Sequence, residues 1–142
     1  MNNKIIAKLL KARAAIQPIK KDGTNPHFRS SYATLEGAIE AVTQPLSDNG
    51  FFLTHVTGVD EFGMFITTEL ISEEDGITVM RTRVPLVVGK NDMQGLGSAI
   101  TYARRYGIMS MLNLPAEDDD GNAASRSSGP SRGQAQSDEG WM

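Results

Sequence analysis

FFLTHVTGVDEFGMFITTELISEEDGITVMRTRVPLVV, residues 51–88, is the stretch on which the fold turns. It contains three runs rich in β-branched and aromatic residues, starting at Phe51, Gly63 and Gly76. The connections DEFG and SEEDG are turn-rich and too short for a crossover, so the three strands form an antiparallel meander. Side chains alternate along a strand. In the third run this puts Arg81 and Arg83 on one face and Met80, Val84 and Leu86 on the other, the core side. Two arginines on an exposed sheet face call for solvent or an anion.

Helical patterns flank the meander on both sides. Residues 3–17 place Ile5, Ile6, Leu9, Leu10 and Ile16 on an apolar face and Lys4, Lys8 and Lys11 on a basic stripe. Pro18 ends that helix. A loop with turn signals at Asp22-Gly23 and Asn25-Pro26 follows. Thr34 is a good N-cap for a second helix running to about Leu46, with Leu35, Ala38, Ile39 and Val42 on one face, and Asn49-Gly50 closes it. After the strands, Asn91 or Asp92 caps the start of a helix that runs to about Leu112, Asn91 with Gln94 in capping-box spacing. Its periodicity buries Leu96, Ala99, Ile100, Ala103, Tyr106 and Met111. Thr101, Arg104 and Arg105 lie away from that face, and Tyr102 sits at its margin, within reach of Arg105 or Tyr106.

The element order is therefore helix, helix, three antiparallel strands, helix: an α+β domain. It ends near residue 115. Residues 116–142, AEDDDGNAASRSSGPSRGQAQSDEGWM, are rich in Ser, Gly and charge and read as a disordered acidic tail. The charge is divided accordingly. Through Leu114 there are twelve basic and eleven acidic residues; from Pro115 onward there are two and six. The net charge of -3 belongs to the tail, and a near-neutral body can still carry a segregated basic groove.

Several function classes drop out. With no cysteine there are no disulfides, thiolate metal sites or cysteine nucleophile. The first seventeen residues hold no long apolar run, so the expectation is a soluble, intracellular protein without a leader or membrane span. EDDDG fails as a calcium loop, because Ala116 and Ser127 would occupy its first and last ligand positions. Gly89-Lys90 lacks the rest of a Walker motif, and GLGSAI lacks the third glycine and the βαβ unit of a dinucleotide site. His27 and His55 have no supporting ligand spacing, and no nucleophile–base set can be named. No metal, cofactor or catalytic residue is expected, and an enzyme is disfavoured.

The remaining chemistry is cationic and aromatic. It comprises Phe28, Arg29 and Tyr32 in the first loop, Arg81 and Arg83 on the third strand, Lys90 in the turn, and Tyr102, Arg104 and Arg105 on the last helix. Single-stranded nucleic acid needs these two ingredients: cations to follow phosphates and flat side chains to stack on bases. Such contacts are sequence-tolerant. Gly95 and Gly97 would let a phosphate approach the helix N-terminus.

Three blocks, NPHFRSSYATLEGAIEAV, QGLGSAITYARRYGIMSMLNL and AEDDDGN, occur in this order between Asn25 and Asn122. In them the chain resembles the Erf (essential recombination function) family of phage single-strand annealing proteins, which is related in fold to the RecT and Red beta annealing proteins. The resemblance implies a β-β-β-α core that assembles into rings or helical filaments. It also implies ATP-independent annealing of complementary strands in a continuous basic groove, in the host bacterial cytoplasm. Tyr102, Arg104 and Arg105 match the family's TYxRRY block, and Phe28, Arg29 and Tyr32 match its first block, where subunit contact or core packing are equal alternatives. A passive single-strand-binding or protein-interaction module is the alternative function. The tail tip, with Asp138, Glu139, Trp141 and Met142, loosely resembles those of bacterial single-strand-binding proteins. It is expected to recruit a replication or recombination partner, to fold back and compete with DNA, or to act only as a solubilising tail.

Overall fold

The computed structural model of the chain describes residues 2–25 and 30–115. Its elements run α1 (Asn3–Ala15), β1 (Gly23–Asn25), β2 (Ser30–Tyr32), α2 (Leu35–Asp48), β3 (Phe51–Asp60), β4 (Gly63–Ser72), β5 (Thr78–Pro85) and α3 (Met93–Met111). The fold is α+β, as the sequence pattern indicates. No helix among the described residues is long and apolar enough to cross a membrane.

The three long strands form one antiparallel sheet in the order β3-β4-β5. Gly63 at φ +129° turns the chain from β3 into β4, and Asp60 Oδ1 accepts the Phe62 N–H at 2.8 Å to hold the hairpin tip. Register pairs His55 with Thr68 and Thr68 with Thr82 on one face. Val56, Thr67 and Arg83 line up on the other. The first face receives the helices: α3 packs across β4 and β5, α2 against β3, and α1 against α2. Arg81 and Arg83 project from the opposite, open face, as the alternation predicts.

The core lies between sheet and helices. Ile66 and Leu70 from β4, Val42 and Leu46 from α2 and Ile108 from α3 are all at most 2 % exposed. Burial of each such side chain stabilises by roughly 1.5–3 kcal/mol. Two caps set the helix starts. Thr34 Oγ1 accepts the Gly37 N–H at 3.1 Å, and Asp92 Oδ1 accepts the Gly95 N–H at 2.7 Å. Asp92, and not Asn91, is thus the residue that caps α3.

Three expectations change. The segment read as a plain loop contains a two-stranded hairpin, β1–β2, in which Gly23 faces Tyr32. Its strands are three residues long and polar, so they carry no alternation to read. Helix α2 continues through Pro45 to Asp48, and Asn49 then closes it by donating from Nδ2 to the Pro45 carbonyl at 2.8 Å. On α1, only Ile5 and Ala12 are buried, with Ile16 buried just past its end, while Ile6 and Leu10 are 43 % and 67 % exposed. The five expected apolar positions span too wide an arc for one neighbour to cover, and α2 covers only part of it. Of the basic stripe, Lys4 and Lys8 both pair with Glu74 beyond the end of β4, at 3.2 and 3.8 Å.

Candidate nucleic-acid interface

Helix α3 owes its position to its glycines. A Cβ on Gly107 would run into Thr68 Oγ1, so the helix can lie this close to β4 only with glycine there. Gly95 is pressed against the Lys90 carbonyl oxygen in the same way. This closes the expected approach for a phosphate at the helix start, where the Gly95 N–H is already held by Asp92. Gly97 meets nothing within 4 Å.

One flank of α3 gathers the tyrosines. Tyr102 and Tyr106, one turn apart, are 53 % and 42 % exposed and stack with ring centroids 6.4 Å apart. Tyr106 was expected in the core and instead forms half of this surface pair. Arg105 was expected to lie off the core face; it is 4 % exposed. Its guanidinium carbon lies 4.6 Å from the Tyr106 centroid, 5.0 Å from Tyr32 and 5.8 Å from Tyr102. Nη1 donates to the Ala33 carbonyl at 3.4 Å. The wheel reading failed because a second neighbour, the Tyr32–Ala33 segment, covers an arc of α3 that the sheet leaves open. The result is a buried cation ringed by three tyrosines, two of them presenting edges and faces to solvent. Lys90 joins this side: with Gly95, Ser98 and Tyr102 it lines a shallow cavity of about 360 Å³.

Arg104 points elsewhere. It lines a separate cleft of about 490 Å³ with Ile39 and Val42 of α2 and Phe51, Leu53 and His55 of β3. Among the described residues it has no ion-pair partner. His55 shares the cleft. Its Nδ1 is 3.0 Å from Thr68 Oγ1, and its buried Nε2 has no hydrogen-bond partner. Burial, and secondarily the Arg104 charge, lower its pKa from 6.5 to about 4, so the ring is neutral at ordinary pH. This pairing links two residues 49 positions apart in sequence and left no signal in the pattern.

Arg81 and Arg83 form a third, distinct group on the open sheet face. Arg81 Nε is 3.4 Å from Glu69, and Arg83 Nη1 is 3.5 Å from Asp60 while its guanidinium lies 3.8 Å over the Phe65 ring. The structure thus divides the expected constellation. Tyr32, Lys90, Tyr102 and Arg105 meet on one side of α3, Arg104 occupies the cleft on the other, and the strand arginines lie across the sheet. Phe28 and Arg29 lie outside the described residues, as do Asp138, Glu139, Trp141 and Met142 of the tail tip.

Comparison with known proteins adds one finding. The family model described as the ERF superfamily matches residues 5–139, nearly the whole chain and more than the three sequence blocks span. That family points to phage recombination and single-strand annealing. No curated protein and no solved structure matches.

Proposed function

The chain belongs to the ERF superfamily, and on that premise we propose that it binds single-stranded DNA and anneals complementary strands without ATP, as a homo-oligomer in phage homologous recombination. The observation that carries this reading is the exposed Tyr102–Tyr106 stack backed by the buried Arg105 guanidinium. Stacked rings at a surface offer π faces to bases of any sequence, and a cation behind them adds a favourable field for the polyanion. Lys90 supplies a positive charge beside Tyr102. The mechanism is non-covalent. The strand is held by its backbone with bases presented, and a second strand is sampled by pairing. Arg104 is proposed as a backbone contact from its own cleft, a role that does not need Arg105 to be exposed. Arg81 and Arg83 are set aside, because a phosphate would have to displace their carboxylate partners first.

Residues 1–115 are proposed as the annealing unit and 116–142 as an accessory acidic tail. The deciding experiment mixes complementary oligonucleotides with the full chain and no ATP. Accelerated duplex formation supports annealing. Protection of single strands without acceleration would leave only passive binding. Deleting residues 137–142 tests the tail: tighter DNA binding indicates self-competition, and loss of a co-purifying protein indicates recruitment.

A further inference from the structure

The Arg104 cleft is larger and more apolar than a phosphate contact needs. Val42 and Leu46 of α2 and Phe51 of β3 line its depth, and Phe52 at its rim is 64 % exposed. At about 490 Å³ it has the size of a ligand site, with room for an aromatic side chain and a short length of backbone. It is also polarised. Arg104 stands at the His55 end, where its charge reaches the imidazole. Glu73 stands at the other end, against Gly50. Four strand residues, Phe51 to His55, separate the ends by about 13 Å. With His55 neutral, Arg104 is the only positive charge lining the cleft, and it has no ion-pair partner among the described residues.

The chain beyond α3 carries a segment of matching chemistry. Residues 116–142 hold six acidic and two basic residues. Their other side chains are small or polar until Trp141 and Met142, the only bulky apolar residues among them. Asp138 and Glu139 come just before this pair. In an extended chain Asp138 and Trp141 are about 10 Å apart. That spacing sets carboxylates beside Arg104 while the indole lies along the apolar part of the cleft. The indole N–H, a donor only, then faces Glu73.

The segment can reach this seat within one molecule. Arg104 lies seven residues before the end of α3, about 10 Å back along the helix. A Gly- and Ser-rich chain of the length of residues 116–141 has a root-mean-square span of roughly 30 Å. The tether gives a high local concentration, so a contact that is weak between separate molecules is populated within one.

We propose that residues 138–142 dock in this cleft of their own chain, with Asp138 or Glu139 paired to Arg104 and the Trp141 ring packed on Leu46 and Phe51. Docking hides Arg104 from DNA, a consequence that rests on the proposed backbone contact; the docking itself does not.

Trp141 is the chain's one tryptophan, so its fluorescence reports the seat directly. The test measures emission and acrylamide quenching on the full chain without DNA. The expected result is blue-shifted emission and reduced quenching relative to the urea-unfolded chain. Arg104→Glu, and separately Thr43→Glu at an exposed position of the cleft wall, are expected to abolish both effects with circular dichroism unchanged. Adding Asp138→Lys and Glu139→Lys to Arg104→Glu reverses both charges of the pair and is expected to restore the shielding. A Trp141 as open to quencher in the parent as in urea overturns the proposal. So does shielding that survives both glutamate variants, which seats the indole elsewhere, or that the charge reversal does not restore. Shielding lost on dilution assigns the cleft to the tail of another copy and also overturns it. Annealing is scored separately on the parent protein, so failure of either reading leaves the other standing.

Discussion

Thr68 Oγ1 occupies the space that a side chain on Gly107 would need. Thr68 is fully buried and β-branched, so it cannot swing aside. Gly107→Ala gains up to about 1 kcal/mol of helix propensity but overpacks the α3–β4 contact, at a cost of about 1–3 kcal/mol. Net destabilisation is expected in urea unfolding. Gly97→Ala, on the same helix with open space around it, is expected to stabilise by up to about 1 kcal/mol. Equal effects at the two sites would contradict this packing.

The adjacent arginines should separate cleanly. Arg105→Ala leaves a void among three tyrosines and removes the bond to Ala33. A loss of about 2 kcal/mol or more is expected in thermal or urea unfolding. Arg104→Ala is expected to leave the unfolding midpoint nearly unchanged while weakening binding to single-stranded oligonucleotides. Parental affinity in Arg104→Ala, measured by fluorescence anisotropy, would remove it from the site.

Tyr102→Ala and Tyr106→Ala each take one ring from the exposed stack. Base stacking on an aromatic is worth ~1–3 kcal/mol, so each change is expected to weaken binding by roughly 5- to 150-fold. Tyr102→Phe keeps the ring and is expected to bind like the parent. Both alanine variants binding as tightly as the parent would take the stack out of the interface.

Acid should reveal His55. Its folded pKa of about 4 lies below the ordinary 6.5, so the unfolded chain takes up the proton first. The neutral ring's contribution to stability is complete above pH 6.5 and is lost progressively as pH falls toward 4, with no further loss from this residue below that. The site is half-buried, so screening moderates the size of the effect. His55→Gln is expected to flatten the fall in melting temperature across this window relative to the parent. Parallel profiles for the two proteins would assign the acid sensitivity elsewhere.

Much of the fold was legible because local chemistry and tertiary packing agree. The turn residues of DEFG and the alternation of Met80, Arg81, Thr82 and Arg83 specify the meander and its faces without help from distant residues. The caps Thr34 and Asp92 announce two helices. Legibility ended where a second neighbour intervened. A helical wheel describes one contact, with the sheet, and by that measure Arg105 is outside; the Tyr32–Ala33 segment, with Ala33 72 residues away in sequence, encloses it. Ile6 and Leu10 failed for the opposite reason, since the pattern marks them apolar but no described element covers them. His55 beside Arg104 required the folded register of β3 against α3, which no local spacing encodes.

The open face of the sheet gives the molecule a handedness toward charge. There each strand arginine is matched at close range by a carboxylate, Arg81 by Glu69 and Arg83 by Asp60. To a polyanion this surface is a set of closed dipoles, with little field beyond a few ångströms. The unmatched cations Lys90 and Arg104 sit on the helical side, where the tyrosines are. A single strand bound as proposed would be drawn to that side before any base is touched.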